Sequence, residues 1–357
     1  MIERGLLAGT AGVLAALLLS GCAINEQGDT PSDLAGTIDG SGASSQGAAQ
    51  EVWVAGFQRA NAAVNVNYDP VGSGAGREAF LAGGADFAGS DSPLSEEELS
   101  GDLPACAPGS EAIDLPLYVS PIAVVFSVVG VDELRLDAAS LARIFSGDIT
   151  RWDDPALVEL NPDAALPAAE ISAVHRSDDS GTTTNFTEYL HAVAPDEWPA
   201  EPSGTFPFRA GESALGNSGI VGAVEGGVGT IGYVDASKAG DLAVASILVG
   251  DQFVSPSAAG AAALVDASPR LPGRSEHDIA LDVDRTSTAA GVYPLVLISY
   301  LIACQEYADA NTGEIVQAYL AHIASDAGQR AAEESAGSAA LAPGLLAEVR
   351  AAVASIQ

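Results

Sequence analysis

Predicted strands and helices alternate along this chain, and the alternation limits the fold to a small set of layered architectures. Residues 64–68 alternate apolar and polar side chains, which predicts a half-buried strand. Residues 50–60, just before them, carry apolar side chains at helical spacing. The nearly continuous apolar run at residues 122–129 is typical of a strand buried on both faces. Because strands that alternate with helices form layers around a sheet, we predict an α/β fold.

The same patterns predict further elements before and after that apolar run. Strands or buried apolar segments are predicted at 86–89, 171–174, 229–234 and 292–302, the last of these apolar except for Ser299. Helices are predicted at 77–82, 138–145 and 185–192, with another beginning at residue 96. After residue 314 the pattern predicts one or two helices, interrupted at Gly337 and Pro343. The Ala-, Ser- and Pro-rich stretch 255–268 has low complexity.

Composition restricts the class of protein and its partners. The chain has 357 residues, which at about 150 residues per domain suggests two domains. Hydrophobic residues make up 48% and charged residues 17%, so the body of the chain is neither disordered nor collagen-like. The 48 acidic residues against 14 Lys and Arg give a net charge of −34. So acidic a chain disfavours binding to nucleic acid or to anionic membranes through basic patches.

The N-terminus predicts export. An apolar stretch at residues 6–19 is too short to span a bilayer and has the length of a signal-peptide core. It ends in Leu19-Ser20-Gly21-Cys22, which resembles the lipobox of bacterial lipoproteins. We therefore predict a signal peptide at 1–21, lipidation of Cys22 and a polar tether at 22–37. An ordinary signal peptide with an incidental cysteine is the alternative.

Two cysteines remain in the body of the chain, Cys106 and Cys304. In an exported protein an even number of cysteines suggests a disulfide, and two buried thiols are the alternative. The sequence has no CxxC motif and no Cys/His cluster, so we expect no structural zinc or other metal site.

Four short loops rich in Gly, Ser and Asp are the most informative segments. Three of them follow predicted strands, and the first, second and fourth lead into predicted helices. Small residues at a strand-to-helix turn let backbone N–H groups approach an anion, while Ser and Thr add hydroxyl donors. One such loop is weak support for an anion site, but four in one exported protein are much stronger. The loops are residues 40–45, 72–77, 89–94 and 175–182.

The loop at 72–77 lacks the lysine of a nucleotide-binding P-loop and the spacing of GxGxxG, so a nucleotide site is poorly supported. The four loops instead resemble those of the PstS family, the substrate-binding proteins of bacterial ABC-type phosphate importers. The resemblance extends over about residues 38–350. Its most specific segments are His175-Arg176-Ser177-Asp178-Asp179-Ser180-Gly181-Thr182, Asp86-Phe87-Ala88-Gly89-Ser90-Asp91-Ser92-Pro93-Leu94 and Ile144-Phe145-Ser146-Gly147-Asp148-Ile149-Thr150-Arg151-Trp152-Asp153-Asp154.

The resemblance implies a fold of the type II periplasmic-binding-protein class, with two α/β lobes, two chain crossovers and the ligand in the cleft. We expect lobe I at 38–121 plus 292–357 and lobe II at 122–291, with crossovers near 119–122 and 292–294. A disulfide between Cys106 and Cys304 would then lie within lobe I. The implied protein is a monomer without cofactors, anchored outside the cytoplasm by its N-terminal lipid. It would capture inorganic phosphate and deliver it to the permease of an ABC importer.

The resemblance also assigns ligand contacts. In the first loop the family usually has Thr-Phe, so Ser44 keeps a hydroxyl donor and Ser45 keeps only its backbone N–H. Asp91 corresponds to a buried carboxylate, and Arg176 to a basic ligand that Asp178 would hold in place. Asp179 replaces a glycine that is common in the family. The expected phosphate contacts are Ser44, Ser45, Ser73, Asp91, Arg176, Ser180, Gly181 and Thr182.

This set of residues suits an oxyanion that still carries a proton. Burying an unpartnered dianion costs tens of kcal/mol in an idealised low-dielectric interior. Each charge-assisted hydrogen bond returns about 1.5–3 kcal/mol, so on the order of ten donors must surround the anion to offset that cost. An ionised Asp91 has no donor to offer, so it requires an O–H from the ligand. Near neutral pH phosphate provides that O–H and sulfate does not. We therefore expect Asp91 to enforce selection of phosphate over sulfate.

The sequence also contains residue types that would suit other functions. His175, Asp178 and Ser180 are the residue types of a nucleophilic triad, but triads are usually assembled from distant segments. An exported phosphatase is therefore a minor alternative, and we expect no enzyme activity. Within the binding class, another tetrahedral oxyanion such as sulfate or molybdate is the second candidate ligand. A passive surface lipoprotein or adhesin comes next.

Overall fold

The computed structural model describes residues 33–357, so the predicted signal peptide at 1–21 and the lipidation site Cys22 lie outside the described residues. The α/β architecture predicted from the alternating pattern is confirmed. The strands are β1 (Gly36–Gly42), β2 (Val64–Asp69), β3 (Phe87–Ser90), β4 (Ala112–Ser127), β5 (Arg135–Leu136), β6 (Ser172–Arg176), β7 (Glu212–Ala214), β8 (Thr230–Asp235), β9 (Ala243–Val244), β10 (Ser246–Val249), β11 (Gln252–Val254) and β12 (Val296–Cys304).

Helices separate most of these strands. They are α1 (Gly47–Ala60), α2 (Ser73–Leu81), α3 (Glu96–Leu99), α4 (Ala138–Ser146), α5 (Pro155–Leu160), α6 (Gly181–Val193), α7 (Gly216–Gly226), α8 (Ala258–Ala267), α9 (Ala310–Ala324), α10 (Asp326–Ala336) and α11 (Pro343–Ala354), with a short 3₁₀ turn at Ala236–Lys238.

The long strand β4 organises the main sheet, whose order is β2-β1-β3-β12-β4-β8-β6-β7. Its first part, up to Pro121, pairs antiparallel with β12. Its second part, from Ile122 onward, pairs antiparallel with β8. All of its residues except the last are buried, as expected for a strand covered on both faces. The change of partner at Pro121 and Ile122 falls inside the predicted crossover at 119–122.

Side-chain caps fix where several helices begin. Asp137 accepts a hydrogen bond from the Ser140 amide at the start of α4, and Ser325 accepts one from the Gly328 amide at the start of α10. Pro155 is the first residue of α5, where its missing N–H has no helical partner to lose. Such caps satisfy amides that have no acceptor within the helix, so the sequence determines these boundaries locally.

The structure corrects three sequence-based predictions and adds a helix that was not predicted. Residues 36–42 form β1, although the Gly- and Ser-rich composition led us to expect a tether and a loop there. Strand β4 begins ten residues before the predicted 122, because its first part is also buried. The C-terminal region forms three helices rather than one or two. The low-complexity stretch 255–268 contains α8, which Ser257 caps through the Gly260 amide.

The chain returns to the first part of β4 soon after α8. The Ile279 amide donates to the Asp114 carbonyl oxygen at 2.9 Å. Arg274 donates to Asp278 at 2.9 Å and also bonds to the carbonyl oxygen of Leu94. Segment 270–282, which we assigned to lobe II, thus packs beside β4 and the loop that follows β3.

Cys106 and Cys304 form a disulfide, as predicted from the even cysteine count. Cys304 is the last residue of β12 and is fully buried. Cys106 lies before β4, where it forms an isolated bridge with Tyr307. The bond closes a loop with a sequence separation of 198 residues, which restricts the unfolded chain strongly.

We predict that replacing both cysteines, Cys106→Ser with Cys304→Ser, lowers the free energy of unfolding by about 3–5 kcal/mol, because so long a loop gains much entropy when it is opened. Urea unfolding followed by circular dichroism measures the difference. Reduction of the wild-type protein should give the same loss. Equal stability of the oxidised, reduced and substituted proteins would contradict the prediction.

Candidate functional site

The buried carboxylate of Asp91 is the centre of the candidate site. It follows β3 directly and is 3% exposed. Its Oδ1 accepts hydrogen bonds from Ser45 Oγ and Ser299 Oγ, each at 2.6 Å. Its Oδ2 accepts one from Thr182 Oγ1 at 3.0 Å. Three hydroxyl groups from three distant chain segments therefore hold one carboxylate.

Burial is the main influence on the ionisation of Asp91. Desolvation raises the pKa of its carboxyl group, and this effect exceeds the lowering by the bonds from Ser299, Ser45 and Thr182. The positive charge of Arg176 also lowers the pKa, by a smaller amount. The net pKa is above the usual aspartate value, and further hydrogen-bond donors would stabilise the ionised form.

The N-termini of three helices converge on Asp91. Ser45 lies just before α1, and Ser73 is the first residue of α2. Ser73 Oγ accepts a hydrogen bond from the Asp91 amide at 3.1 Å. At the start of α6, a Cβ on Gly181 would lie 2.6 Å from both Asp91 Cβ and Ser73 Oγ, so only glycine fits there. Because a helix N-terminus carries partial positive charge, the arrangement favours an anion.

The start of α6 offers unpaired donors. Ser180 caps the helix, its Oγ accepting from the Thr183 amide at 3.2 Å, and its carbonyl oxygen accepts from the Thr184 amide. The amides of Gly181 and Thr182 precede the first acceptor that the helix provides. Gly181, Thr182 and Ser180 are all buried. This turn therefore presents two amides, and a Ser180 hydroxyl proton that its capping bond leaves unused.

Arg176 is the buried cation of the site. It is the last residue of β6 and is 3% exposed. Its Nε donates to Asp178 Oδ1 at 2.8 Å, and its Nη2 donates to Asp178 Oδ2. Its Nη1 is buried and has no hydrogen-bond partner within residues 33–357. Since a buried guanidinium normally satisfies its donors, the unpaired Nη1 marks a place for an acceptor.

Asp178 forms a two-point ion pair with Arg176. Burial raises the pKa of the Asp178 carboxyl group. The hydrogen bonds and positive charge of Arg176 contribute to a larger opposite effect, so the net pKa is below the usual aspartate value. Its Oδ1 also accepts from the Gly216 amide at the start of α7, at 3.2 Å. Asp178 therefore stays ionised and joins Arg176 to a fourth helix N-terminus.

Ser44 reaches the same region through α7. Its Oγ accepts from Asn217 Nδ2 at 3.0 Å. A Cβ on Gly216 would lie 3.8 Å from Ser44 Oγ, so Ser44 and Asp178 approach α7 at the same residue. Ser44 is half-buried, in contrast to the fully buried Ser45 beside it.

The structure thus brings the predicted site residues together around two centres. The first centre is Asp91, which is surrounded by Ser45, Ser73, Gly181 and Thr182. The second centre is the Arg176–Asp178 pair, which Ser44 approaches at Gly216. Ser180 caps α6, the helix to which Gly181 and Thr182 belong. Ser45 contributes a side chain that was not expected, because its hydroxyl donates to Asp91. Which of these groups contact a ligand stays a prediction.

Two residues of the site were not predicted. Ser299 donates to Asp91 and accepts from Gln46 Nε2 at 2.7 Å. A single polar residue inside the apolar run 292–302 was a usable signal for it. Asn217 gave no signal, since an asparagine after a glycine at a helix start is common. Asn217 is 173 residues from its partner Ser44 in the sequence, and Ser299 is 208 residues from Asp91.

The triad residue types do not form a triad. His175 Nδ1 lies 2.9 Å from the Arg176 carbonyl oxygen, and its ring stacks on Phe206 at 4.0 Å. Ser180 Oγ accepts from the Thr183 amide and makes no hydrogen bond to His175 or Asp178 within residues 33–357. Among the residues that the structure describes, no group of three or more His, Cys, Asp or Glu side chains could hold a metal ion. Nor is any helix of the described chain long and apolar enough to cross a membrane.

A cavity of about 640 Å³ adjoins the site. Its lining includes Asp91, Asn185, Arg285 and Tyr300, but neither Arg176 nor any of the serines around the carboxylate. It therefore borders the site without containing it.

Comparison with known proteins assigns the family. A PBP superfamily domain matches residues 27–327. A phosphate-binding protein PstS 3 of Mycobacterium leprae is 36% identical over 297 residues, covering 80% of this chain and 78% of the relative. This chain belongs to the PstS family. The PstS 3 protein of Mycobacterium tuberculosis strain H37Rv is also 36% identical, over 330 residues, covering 87% and 88% of the two chains.

Solved structures agree with the PstS assignment. The high-affinity periplasmic phosphate-binding protein PfluDING, bound with phosphate, superposes with a TM-score of 0.71 and is 28% identical. The match covers 88% of this chain and 93% of that one. The predicted periplasmic-binding-protein fold and the resemblance to PstS proteins are thereby confirmed.

A second buried acid, Asp235, lies at the end of β8. Its Oδ1 accepts from the Ser237 amide at 2.8 Å, and both carboxylate oxygens lie 3.2 Å from Tyr118 Oη. Burial raises its pKa to about 6, and the negative charge of Asp91 adds to the increase. The folded protein therefore holds a proton on Asp235 at a pH where the unfolded chain has lost it.

We predict that Asp235→Asn stabilises this PstS protein increasingly as the pH rises from about 4 to about 6. In that window the folded state binds one more proton than the unfolded state, so wild-type stability falls, and the asparagine removes this dependence. The difference in unfolding free energy between Asp235→Asn and the wild type should grow by about 2–3 kcal/mol across this window and then level off. Urea unfolding at several pH values measures it. A difference that stays constant between pH 4 and 7 would contradict the prediction.

Proposed function

We propose that this protein captures inorganic phosphate outside the cytoplasm and delivers it to an ABC-type importer. The observation that carries the proposal is the buried Arg176: its Nη1 has no hydrogen-bond partner within residues 33–357, and its positive charge lowers the pKa of Asp91. The names of the PstS relatives and of the phosphate-bound structural neighbour support it.

Neutral donors supply most of the proposed binding energy. Besides Arg176 Nη1, the donors are the amides of Gly181 and Thr182 and the hydroxyls of Ser44, Ser73 and Ser180. Hydrogen bonds to a charged partner contribute about 1.5–3 kcal/mol each, so several together offset the desolvation of the anion. Fixed dipoles of this kind need no net positive protein, which fits a net charge of −34.

Asp91 gives the proposed site its selectivity. An ionised carboxylate has about four acceptor positions. Ser45, Ser299 and Thr182 occupy three of them. The remaining position suits an O–H donor, which phosphate carries near neutral pH and sulfate lacks. Sulfate would set two negative groups against each other, so we propose that Asp91 rejects it.

Two lobes that close over the anion are part of the proposal. The contacts of segment 270–282 with β4 support lobe II at 122–268 and lobe I in the remainder, with the second crossover earlier than the 292–294 that we predicted. Besides the bond from Thr182 to Asp91, two further bonds then cross the cleft beside Asp91. Asn185 Nδ2 donates to the Asp91 carbonyl oxygen at 2.6 Å, and Arg285 Nη2 donates to Glu188 at 2.8 Å. A ligand that binds both lobes favours this closed form.

The remaining parts of the proposal concern delivery and location. The closed protein would dock on the permease of the importer as a monomer. The lipobox-like Leu19-Ser20-Gly21-Cys22 supports export and attachment to the cell membrane through a lipid on Cys22. The contacts of His175 and Ser180 give no nucleophile–base pair, which supports a binding protein rather than a phosphatase. Phosphate monoesters incubated with the protein should therefore not be hydrolysed.

We predict that Arg176→Met weakens phosphate binding by at least about 100-fold, because it removes a charge-assisted donor and leaves Asp178 unpaired. Isothermal titration calorimetry of the purified protein measures the affinity. The matched control is Arg151→Met, which removes an exposed arginine paired with Asp153 and should bind like the wild type. Saturable phosphate binding that survives Arg176→Met, or no phosphate binding by the wild type, would contradict the proposal.

We predict that Asp91→Asn relaxes discrimination between phosphate and sulfate by about 100-fold or more, since an amide can donate where the carboxylate only accepts. Competition calorimetry with phosphate, sulfate and molybdate measures the ratio. Sulfate that is rejected as strongly by the variant as by the wild type would show that Asp91 is not the selective group.

A further inference from the structure

Asn217 connects the site to Asp235 with a fixed orientation. It is the second residue of α7 and is 1% exposed. Its Oδ1 accepts a hydrogen bond from the Asp235 amide at 2.9 Å. Because a backbone N–H can only donate, the oxygen of the Asn217 side chain must face Asp235. The Nδ2 group therefore faces Ser44, where it donates to Oγ at 3.0 Å.

Asn217 makes two contacts with the Ser44 hydroxyl. Besides Nδ2, the Asn217 amide donates to the same oxygen at 3.4 Å. A serine hydroxyl has two acceptor positions and a single proton to donate. Both acceptor positions of Ser44 are directed at Asn217, so its proton must point elsewhere. Ser44 lies next to Gly216, whose amide contacts the Asp178 that holds Arg176, so the proton is available to an anion bound at Arg176.

We infer that Asn217 is a positioning residue that fixes the Ser44 hydroxyl as a hydrogen-bond donor to the bound phosphate. This inference rests on the proposed function. Ser44 precedes α1 and Asn217 belongs to α7, so their contact crosses the cleft between the proposed lobes. The hydroxyl is therefore oriented as the lobes close, and an unoriented hydroxyl would be free to turn an oxygen lone pair toward the anion.

A double-mutant cycle tests whether Asn217 acts through Ser44. The wild type, Ser44→Ala, Asn217→Ala and the double variant are titrated with inorganic phosphate by calorimetry. We expect each single substitution to weaken binding by about tenfold, the effect of one charge-assisted hydrogen bond. The double variant should be no more than about twofold weaker than Ser44→Ala, because the two residues act as one unit.

The outcomes separate the inference from the proposed function. Additive losses, about 100-fold in the double variant, would mean that Asn217 acts independently of Ser44 and would overturn the inference. So would an Asn217→Ala protein that binds like the wild type. A wild-type protein that does not bind phosphate would overturn the proposed function as well. Ser218→Ala, at the exposed neighbouring position of α7, is the matched control and should bind like the wild type.

An isosteric variant keeps the test decisive if Asn217→Ala does not fold. Asn217→Asp retains an oxygen to accept from the Asp235 amide but turns an acceptor toward Ser44. The Ser44 proton would then point at the new carboxylate, and phosphate binding should weaken by about 100-fold or more. Because part of that loss depends on Ser44, the loss should be smaller when Asn217→Asp is combined with Ser44→Ala. An equal loss in both backgrounds would overturn the inference.

Discussion

The rest of the site depends on one buried carboxylate that accepts three hydroxyl bonds and still has an acceptor position unused. Burial raises the pKa of the Asp91 carboxyl group, and hydrogen-bond donors lower it again. Ser45 follows β1 and Ser299 lies in β12, the two neighbours of β3 in the main sheet, and Thr182 donates from the start of α6. Order β1-β3-β12 in that sheet is therefore a requirement of the site as well as of the fold.

The second constraint is that a strongly acidic protein must hold an anion. The buried guanidinium of Arg176, already paired with Asp178, leaves one nitrogen for a ligand. The positive N-terminal ends of α1, α2, α6 and α7 supply the remaining attraction for the anion. The attraction of each helix end acts only over a short range and in a fixed direction. Such dipoles can surround a small anion closely while the outer surface stays negative. The negative surface can therefore repel an anion at a distance while the site binds it tightly on contact, because the donors at the site are desolvated and preorganised.

Much of this could be predicted from the sequence, and the failures have physical causes. Helix caps, buried strands and the loops after β3 and β6 are local patterns, and within those loops the resemblance to the PstS family pointed to Arg176 and Asp91. Strand β1 was missed because Gly and Ser dominate it, and its pairing with β2 and β3 overrides that composition. Asn217 and Ser299 act through contacts between distant segments, and the fold of segment 270–282 depends on Asp114. The sequence shows Ser299 as a polar residue in an apolar run, but no local pattern reports which distant residue Ser299 or Asn217 contacts.

The most direct test of the account is a crystal structure of the protein with phosphate. The account predicts one anion within hydrogen-bond distance of Arg176 Nη1 and the amides of Gly181 and Thr182. One of its oxygens should also lie at about 2.5–2.7 Å from an Asp91 oxygen, the distance of a charge-assisted O–H···O⁻ bond. Phosphate bound elsewhere, or bound at Arg176 with Asp91 turned away from it, would contradict the central role given to that carboxylate.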